Sequence, residues 1–328
     1  MTPQRVFSGI QPSGELHIGN YLGAVQNWVR LQSLHDCLFC VVDLHAITQP
    51  YDPASLPSLT MDMAVSLYAA GLDPDRCIVF IQSHVAEHTD LNWLLAAVAP
   101  LGELERQTQF KDKAQRQESV SLGLLAYPVL QAADVLLYKA SLVPVGEDQV
   151  QHLELMREIA RRWNARFGEG YFPEPQPLLT STKRVLGLDG KAKMSKSLGN
   201  TIGLFESPEA IWEKLKPAAT DPARVTRKDP GTPEICNIYT LHHGFSAPEV
   251  VAEVAEKCRT AGWGCIDCKR KLADHMIATL TPMRERATAL RRDPKGVMER
   301  LRAGAERARR LAQRTIAEVR EKMGFLHE

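Results

Sequence analysis

A chain of 328 residues with 44% hydrophobic and 24% charged side chains has the composition of a globular protein, long enough for one large domain plus a smaller one. No run of about 18 apolar residues occurs and Met1–Val6 lacks a signal-peptide pattern, so neither a membrane span nor secretion is expected, and the cytoplasm is the default compartment. The net charge of +1 hides an asymmetry: residues 269–328 carry sixteen Lys and Arg against eight Asp and Glu. Such a basic tail suits an RNA backbone, or equally a solvated helix face laced with i,i+4 pairs.

Val6–Ile10 is short and apolar, like a strand, and Gln11–Glu15 with Pro12, Ser13 and Gly14 reads as a tight turn. From His17 onward, Ile18, Leu22, Val25 and Val29 recur at helical spacing. A strand that feeds a Gly-containing turn and a helix start presents backbone N–H groups and a positive helix end, which suits nucleotide phosphates. His17 and Asn20, three apart, share one face of that first turn. Gly9 and Gly19 lack a Cβ, which lets a base or ribose lie against the main chain. The plainer alternative is a tight strand-to-helix connection with an incidental histidine.

Cys37–Asp43 reads as a buried strand, and its C-x-x-C (Cys37, Cys40) points to packing rather than redox chemistry. Pro53–Ala70 has helical periodicity ended by Gly71, and Cys77–Gln82 is again a strand. Strands alternating with helices predict a parallel sheet covered on both faces. Ligands then bind at the carboxyl ends of the strands, near Gly9–Gln11, Asp43–His45 and Gln82–Ser83. Thr89–Ala99 and Leu122–Tyr138 are expected to be helical, the latter with a kink or boundary at Tyr127-Pro128. Asp134 stands three residues after Gln131 in an apolar surround. An ionised carboxylate there must accept hydrogen bonds, either from a packing partner or from a ligand. Val143–Val145 reads as a strand, Gly146-Glu147-Asp148-Gln149 opens a helix over Val150–Phe167, and Gly168–Lys183, with three prolines, reads as a linker.

Lys191–Ser197, K-A-K-M-S-K-S, suggests a mobile cationic loop able to neutralise charge on a departing pyrophosphate, if it is more than a solvated loop. From Ser207 the pattern is helical only: Pro208–Leu215, Glu234–Gly244, Pro248–Gly262, Lys269–Arg291 and Val297–Met323. Cys236, Cys258, Cys265 and Cys268 give C-x21-C-x6-C-x2-C. In a reducing compartment that grouping favours metal ligation over disulfides, and four thiolates suit zinc or a [4Fe–4S] cluster. Four independent buried cysteines are the alternative.

H-I-G-N at residues 17–20 followed far downstream by K-M-S-K-S resembles the paired signature of class I aminoacyl-tRNA synthetases. P-S-G-E-L-H-I-G-N-Y-L-G-A, D-L-H-A-I-T, G-E-L-E-R-Q-T-Q-F-K, Y-P-V-L-Q-A-A-D-V-L-L-Y and V-P-V-G-E-D-Q-V-Q-H resemble the bacterial tryptophanyl enzymes. Asn20 stands where many class I enzymes have a second histidine. The resemblance implies an α/β fold: a Rossmann-type, HUP-like parallel-sheet catalytic domain over residues 1–206, then an all-helical anticodon-binding domain over 207–328, in a cytoplasmic homodimer. It implies activation of L-tryptophan by Mg·ATP and transfer to the 3′ end of tRNA(Trp). By resemblance, Gln11, Pro12, Ser13, Gly19, Asn20, Gly146, Glu147, Asp148 and Val185 contact ATP, with Lys193, Met194, Ser195, Lys196 and Ser197 of the loop. His17, Asn20, Lys193 and Lys196 act on the transition state, and Lys111 is a further phosphate candidate. Asp134 would accept the indole N–H, with Phe7, His45, Tyr127 and Gln131 lining the pocket. The four cysteines resemble those of a subset of tryptophanyl enzymes that carry a structural [4Fe–4S] cluster, with zinc the alternative. Rival readings are a tyrosyl-tRNA synthetase, a non-translating paralogue that binds or regulates, and an adenylyltransferase without tRNA.

Overall fold

The computed structural model describes residues 3–115, 119–146, 149–179 and 185–326. Five strands, β1 (Arg5–Ile10), β2 (Asp36–Val41), β3 (Ile78–Ile81), β4 (Leu142–Val145) and β5 (Gln176–Leu179), form one sheet in the order β3-β2-β1-β4-β5. Every neighbouring pair is parallel. With period 2, Val6, Cys37, Phe39, Val41, Val79 and Ile81 pack into one apolar cluster. Phe7, Leu38, Cys40, Ile78 and Phe80 pack into the other. Both faces are therefore dry, as the near-continuous apolar runs require.

The first crossover holds α1 (Ile18–Asn20), a π-helical turn (Tyr21–Val25) and α2 (Gln26–Leu31). After β2 come α3 (Asp43–Ala46) and α4 (Leu56–Ala70), and after β3 come α5 (Glu87–Ala96), α6 (Leu101–Arg106), α7 (Thr108–Ala114) and α8 (Leu122–Leu136). α9 (Val150–Phe167) joins β4 to β5. The remainder is helical: α10 (Pro208–Leu215), α11 (Asn237–Phe245), α12 (Pro248–Arg259), α13 (Cys265–Arg292) and α14 (Pro294–Lys322). α4 stops where Gly71 takes φ 117°, a left-handed cap that a side chain would strain. No helix among the described residues is long and apolar enough to cross a membrane.

Several expectations need correction. The proline-containing stretch read as a linker includes β5, and Pro177 is accommodated because β5 lies at the sheet edge. Pro128 neither ends nor divides α8. α6 and α7 carry too little apolar periodicity to have been read as helices. α13 begins at Cys265, four residues earlier than its periodicity indicates, because the Asp267 carboxylate reaches back to accept from the Gly264 N–H at 2.9 Å. Arginines of the basic tail also grip main chain: Arg286 Nε donates to Ala69 O (2.8 Å), Arg307 Nη1 to Pro74 O (2.8 Å) and Arg309 Nη2 to His84 O (2.6 Å). α14 covers the open edge of β3 at very close range, since a Cβ on Gly304 would meet Val79 O at 2.0 Å.

β1 and β4 pair at Val6–Leu142. Nearer their carboxyl ends the Ser8 hydroxyl reaches Pro144 O at 3.4 Å. Strand order reverses between these two strands, and such a switch point is where doubly wound sheets bind ligands.

Candidate active site

His17 caps α1. Its Nδ1 accepts from the Asn20 N–H and its own N–H donates to Asn20 Oδ1, both at 3.3 Å. Asn20 Oδ1 thus serves the turn's geometry. Burial, then the charges of Lys196 and Lys193, lower the His17 pKa to about 4. The ring is neutral at pH 7, and because Nδ1 accepts, the proton sits on Nε2 as a hydrogen-bond donor.

The loop read as K-M-S-K-S lies on this turn. Lys196 Nζ donates to Ser13 O at 3.0 Å, and a Cβ on Gly19 would stand 3.2 Å from Met194 Cβ. Downstream of the loop, Ile18 N–H donates to Ile202 O (2.9 Å) and Leu204 N–H to Leu16 O (2.8 Å), a short antiparallel clasp. Two segments some 180 residues apart in sequence are thereby fixed side by side. Within the loop, Asn200 accepts from Ser195 N–H (2.8 Å) and donates to Asp189 Oδ2 (3.2 Å) and Lys193 O (3.4 Å). From α11, Asn237 Nδ2 donates to Gly187 O at 2.9 Å. Gly187 is obligatory there, since a Cβ would fall 2.0 Å from Asn200 Nδ2. Asn237 had no signal in the sequence, because its partner is a main-chain carbonyl 50 residues away.

Gln11, Ser13, Lys193 and Lys196 are exposed, while Pro12, Met194 and Val185 are buried. Val185 O accepts from Met194 N–H at 3.4 Å. Gly146 is half-buried at the end of β4, and Ser197 falls in the short 3-10 turn Lys196–Leu198. Glu147 and Asp148 lie outside the described residues. Lys111 is exposed on α7, which is tied to the start of α9 through Thr108 N–H and Gln151 Oε1 (3.0 Å).

A second group of residues surrounds Asp134, whose residue is 2% exposed. Its Oδ2 faces His45 Nε2 at 2.7 Å, and its Oδ1 faces Gln82 Nε2 and His88 Nδ1, both at 2.6 Å. Burial alone would raise its pKa, but His45 and His88 outweigh it and bring the carboxyl down to about 2. Tyr127 packs edge-on to His45 with centroids 6.4 Å apart, and its hydroxyl meets His152 Nε2 at 2.8 Å. Phe7 stacks on Tyr138 at 5.5 Å. Gln131 is half-buried on the same helix as Asp134. Phe7, His45, Tyr127 and Asp134 lie near one another, and Gln82 and His88, not predicted as partners of Asp134, join them.

Cys236, Cys258, Cys265 and Cys268 line one cavity with Asp221, Arg224 and Trp263. Cys265 and Cys268 occupy the first turn of α13. Burial and the three neighbouring cysteines push the Cys268 thiol up to about 12. Among the described residues, no three His, Cys, Asp or Glu side chains converge closely enough to hold a single metal ion.

The sequence model of the class I tRNA synthetases for W and Y matches residues 1–281. The tryptophan–tRNA ligase of Deinococcus radiodurans is 55% identical over 327 residues, 98% of this chain and 99% of its own. That of Parasynechococcus marenigrum is 49% identical over 332 residues, covering 98% of each. The crystal structure of the Campylobacter jejuni tryptophanyl-tRNA synthetase complexed with ADP and tryptophan matches with a TM-score of 0.87 at 36% identity, over 98% of this chain and 100% of that one. The tyrosyl-tRNA synthetase of Archaeoglobus fulgidus, at 22% identity and a TM-score of 0.71, shares the fold alone. Likeness on this scale, over a sheet switch point where a histidine turn meets a lysine flap, means that the chain belongs to the tryptophanyl branch of the class I tRNA synthetase family.

Proposed function

We propose that this protein is a cytoplasmic tryptophan–tRNA ligase. It activates L-tryptophan with Mg·ATP to tryptophanyl-adenylate and then passes the tryptophanyl group to the terminal ribose of tRNA(Trp). The observation that carries the reading is the Lys196 ammonium seated on the Ser13 carbonyl, beside a neutral His17. ATP lies along Gln11–Ser13, Gly19, Gly146, Glu147, Asp148 and Val185, with its phosphates between the His17 turn and the flap. The carboxylate of tryptophan attacks the α-phosphorus, and the bond to the pyrophosphate oxygen breaks. His17 Nε2–H, Lys193 and Lys196 take up the negative charge that moves onto the phosphoryl oxygens and the leaving pyrophosphate, and Lys111 assists from α7. Positioning and electrostatics account for the catalysis, since no protein group forms a covalent bond. Asp134 accepts the indole N–H in an apolar pocket with Phe7, His45, Tyr127 and Gln131.

Residues 1–206 form the catalytic part and 207–328 the part that reads the anticodon, with basic α13 and α14 facing RNA where their arginines are free of main chain. Exposed Trp93, Leu101 and Leu122, on α5, α6 and α8, support a homodimer seam. The four cysteines hold a [4Fe–4S] cluster as a structural clip. Each thiolate in such a cluster binds its own iron, so sulfurs spaced around a cavity suit it better than they suit zinc, which draws four ligands to one point. Iron and sulfide analysis after anaerobic purification tests this, and stoichiometric zinc instead would overturn it.

Pyrophosphate exchange across the twenty amino acids tests the main reading, with L-tryptophan alone expected to support it. Preference for tyrosine would move the protein to the other branch. Exchange without charging of tRNA(Trp) would leave a paralogue.

A further inference from the structure

Asp134 is held by more than the pocket residues the sequence pointed to. His88, fully buried at the start of α5, faces Asp134 Oδ1 through Nδ1 at 2.6 Å and the Tyr138 hydroxyl through Nε2 at 2.8 Å. The buried Tyr138 phenol keeps its proton, its pKa pushed well above the ordinary value by burial. Since the carboxylate can only accept, Nδ1 of His88 donates to it, while Nε2 is tied to the Tyr138 hydroxyl. The chain Tyr138–His88–Asp134 thus holds the imidazole in one orientation, with an N–H aimed at Oδ1.

A carboxylate offers about four acceptor positions. Gln82 and His88 occupy both on Oδ1, and His45 occupies one on Oδ2. Among the described residues one position, on Oδ2, is left. Rings wall in the donors: Phe80 lies 5.7 Å from the His88 ring and 5.9 Å from that of Tyr138, and Phe7 stacks on Tyr138 at 5.5 Å. The carboxylate cannot turn to offer a different edge while these contacts hold.

We propose that His88 is a positioning residue for tryptophan selection. With Tyr138 behind it, His88 fills Oδ1 so that the single remaining acceptor on Asp134 points one way, toward a ring N–H. The inference rests on Asp134 being the indole acceptor and adds the group that aims it. Without His88 the carboxylate gains a free Oδ1 position and freedom to rotate, so an N–H is bound less tightly and the advantage over a ring lacking that donor shrinks.

Pyrophosphate exchange with L-tryptophan and with 3-benzothienyl-L-alanine, in which sulfur replaces the ring N–H, tests it. His88→Phe is expected to raise KM for tryptophan about 10–100-fold and to lower the tryptophan-to-analogue ratio of kcat/KM by a similar factor. KM for ATP stays within about twofold. His88→Asn, whose amide can donate from near the Nδ1 position, recovers most of the loss. Tyr138→Phe shifts the ratio in the same direction by about threefold. Equal movement of both KM values, or an unmoved ratio in His88→Phe, overturns the proposal. Should His88→Phe fail to fold, Tyr138→Phe decides, and an unmoved ratio there overturns it. Wild-type protein without tryptophan-dependent exchange overturns the function itself, whereas wild-type exchange with an unmoved ratio overturns only the role of His88.

Discussion

The two ends of the site are built on opposite principles. At the phosphate end the contacts are main chain and exposed ammonium groups: a clasp between Leu16–Ile18 and Ile202–Leu204, and Lys196 on a carbonyl. At the amino-acid end an ionised carboxylate is buried among side chains and met by three donors. The difference follows from what each end must do. On the proposed reading charge on the phosphates changes during turnover, and the groups proposed to meet it are exposed cations on a loop. On the proposed reading the indole does not change, so the carboxylate proposed to accept its N–H is held in one orientation, in a medium where an unmatched donor or acceptor is expensive.

Substitutions at the two ends should therefore separate kcat from KM. The largest effect is expected from Lys196→Ala, which should lower kcat for pyrophosphate exchange about 10²–10³-fold, as losing one preorganised charge contact does. KM for tryptophan and the melting temperature should hardly move, because the side chain is exposed and, among the described residues, makes a single hydrogen bond. A parallel rise in KM for tryptophan would show that the ends are coupled. Asp134→Ala should raise KM for tryptophan about 10–100-fold, far more than KM for ATP. It should also cost about 3–5 kcal/mol of stability in urea denaturation, because His45, His88 and Gln82 lose the partner that compensates their burial. Asn200→Ala should be milder, lowering kcat about tenfold by loosening the flap that carries both lysines. An unchanged kcat would mean that the clasp at Ile202–Leu204 positions the flap alone.

How much of this was readable in advance follows the same division. The sheet was legible because its strands are short apolar runs divided by helices, and so were His17 and the flap, which are local motifs with their own chemistry. Asp134 stood out as a lone acid in an apolar helix. What was not legible depends on contacts between distant segments. His88 lies in a helix with no distinctive pattern, Asn237 acts on the main chain of a remote loop, and β5 takes Pro177 because it lies at the sheet edge. The arginines of α14 read as a basic face, yet Arg307 and Arg309 are committed to carbonyls that only the folded sheet brings near.

Acid titration offers the finest separation of the two ends. The pKa of His17 is lowered from 6.5 to about 4, so the unfolded chain binds its proton first, and stability falls as pH drops from about 6.5 toward 4. Asp134, lowered from 3.8 to about 2, contributes stability above pH 3.8 that is lost only as pH falls toward 2. The phosphate end should thus weaken first on acidification, the amino-acid end later. His242, also held near 4 chiefly by burial, acts in the upper window, so the comparison needs wild type against His17→Gln. The variant should show a shallower decline of unfolding free energy between pH 6.5 and 4 and the same decline below it. By NMR the wild-type His17 ring should carry its proton on Nε2 and not titrate above pH 5.5. Removing Lys193 and Lys196 together should raise its midpoint part of the way back to 6.5, because burial, the largest cause of the shift, remains.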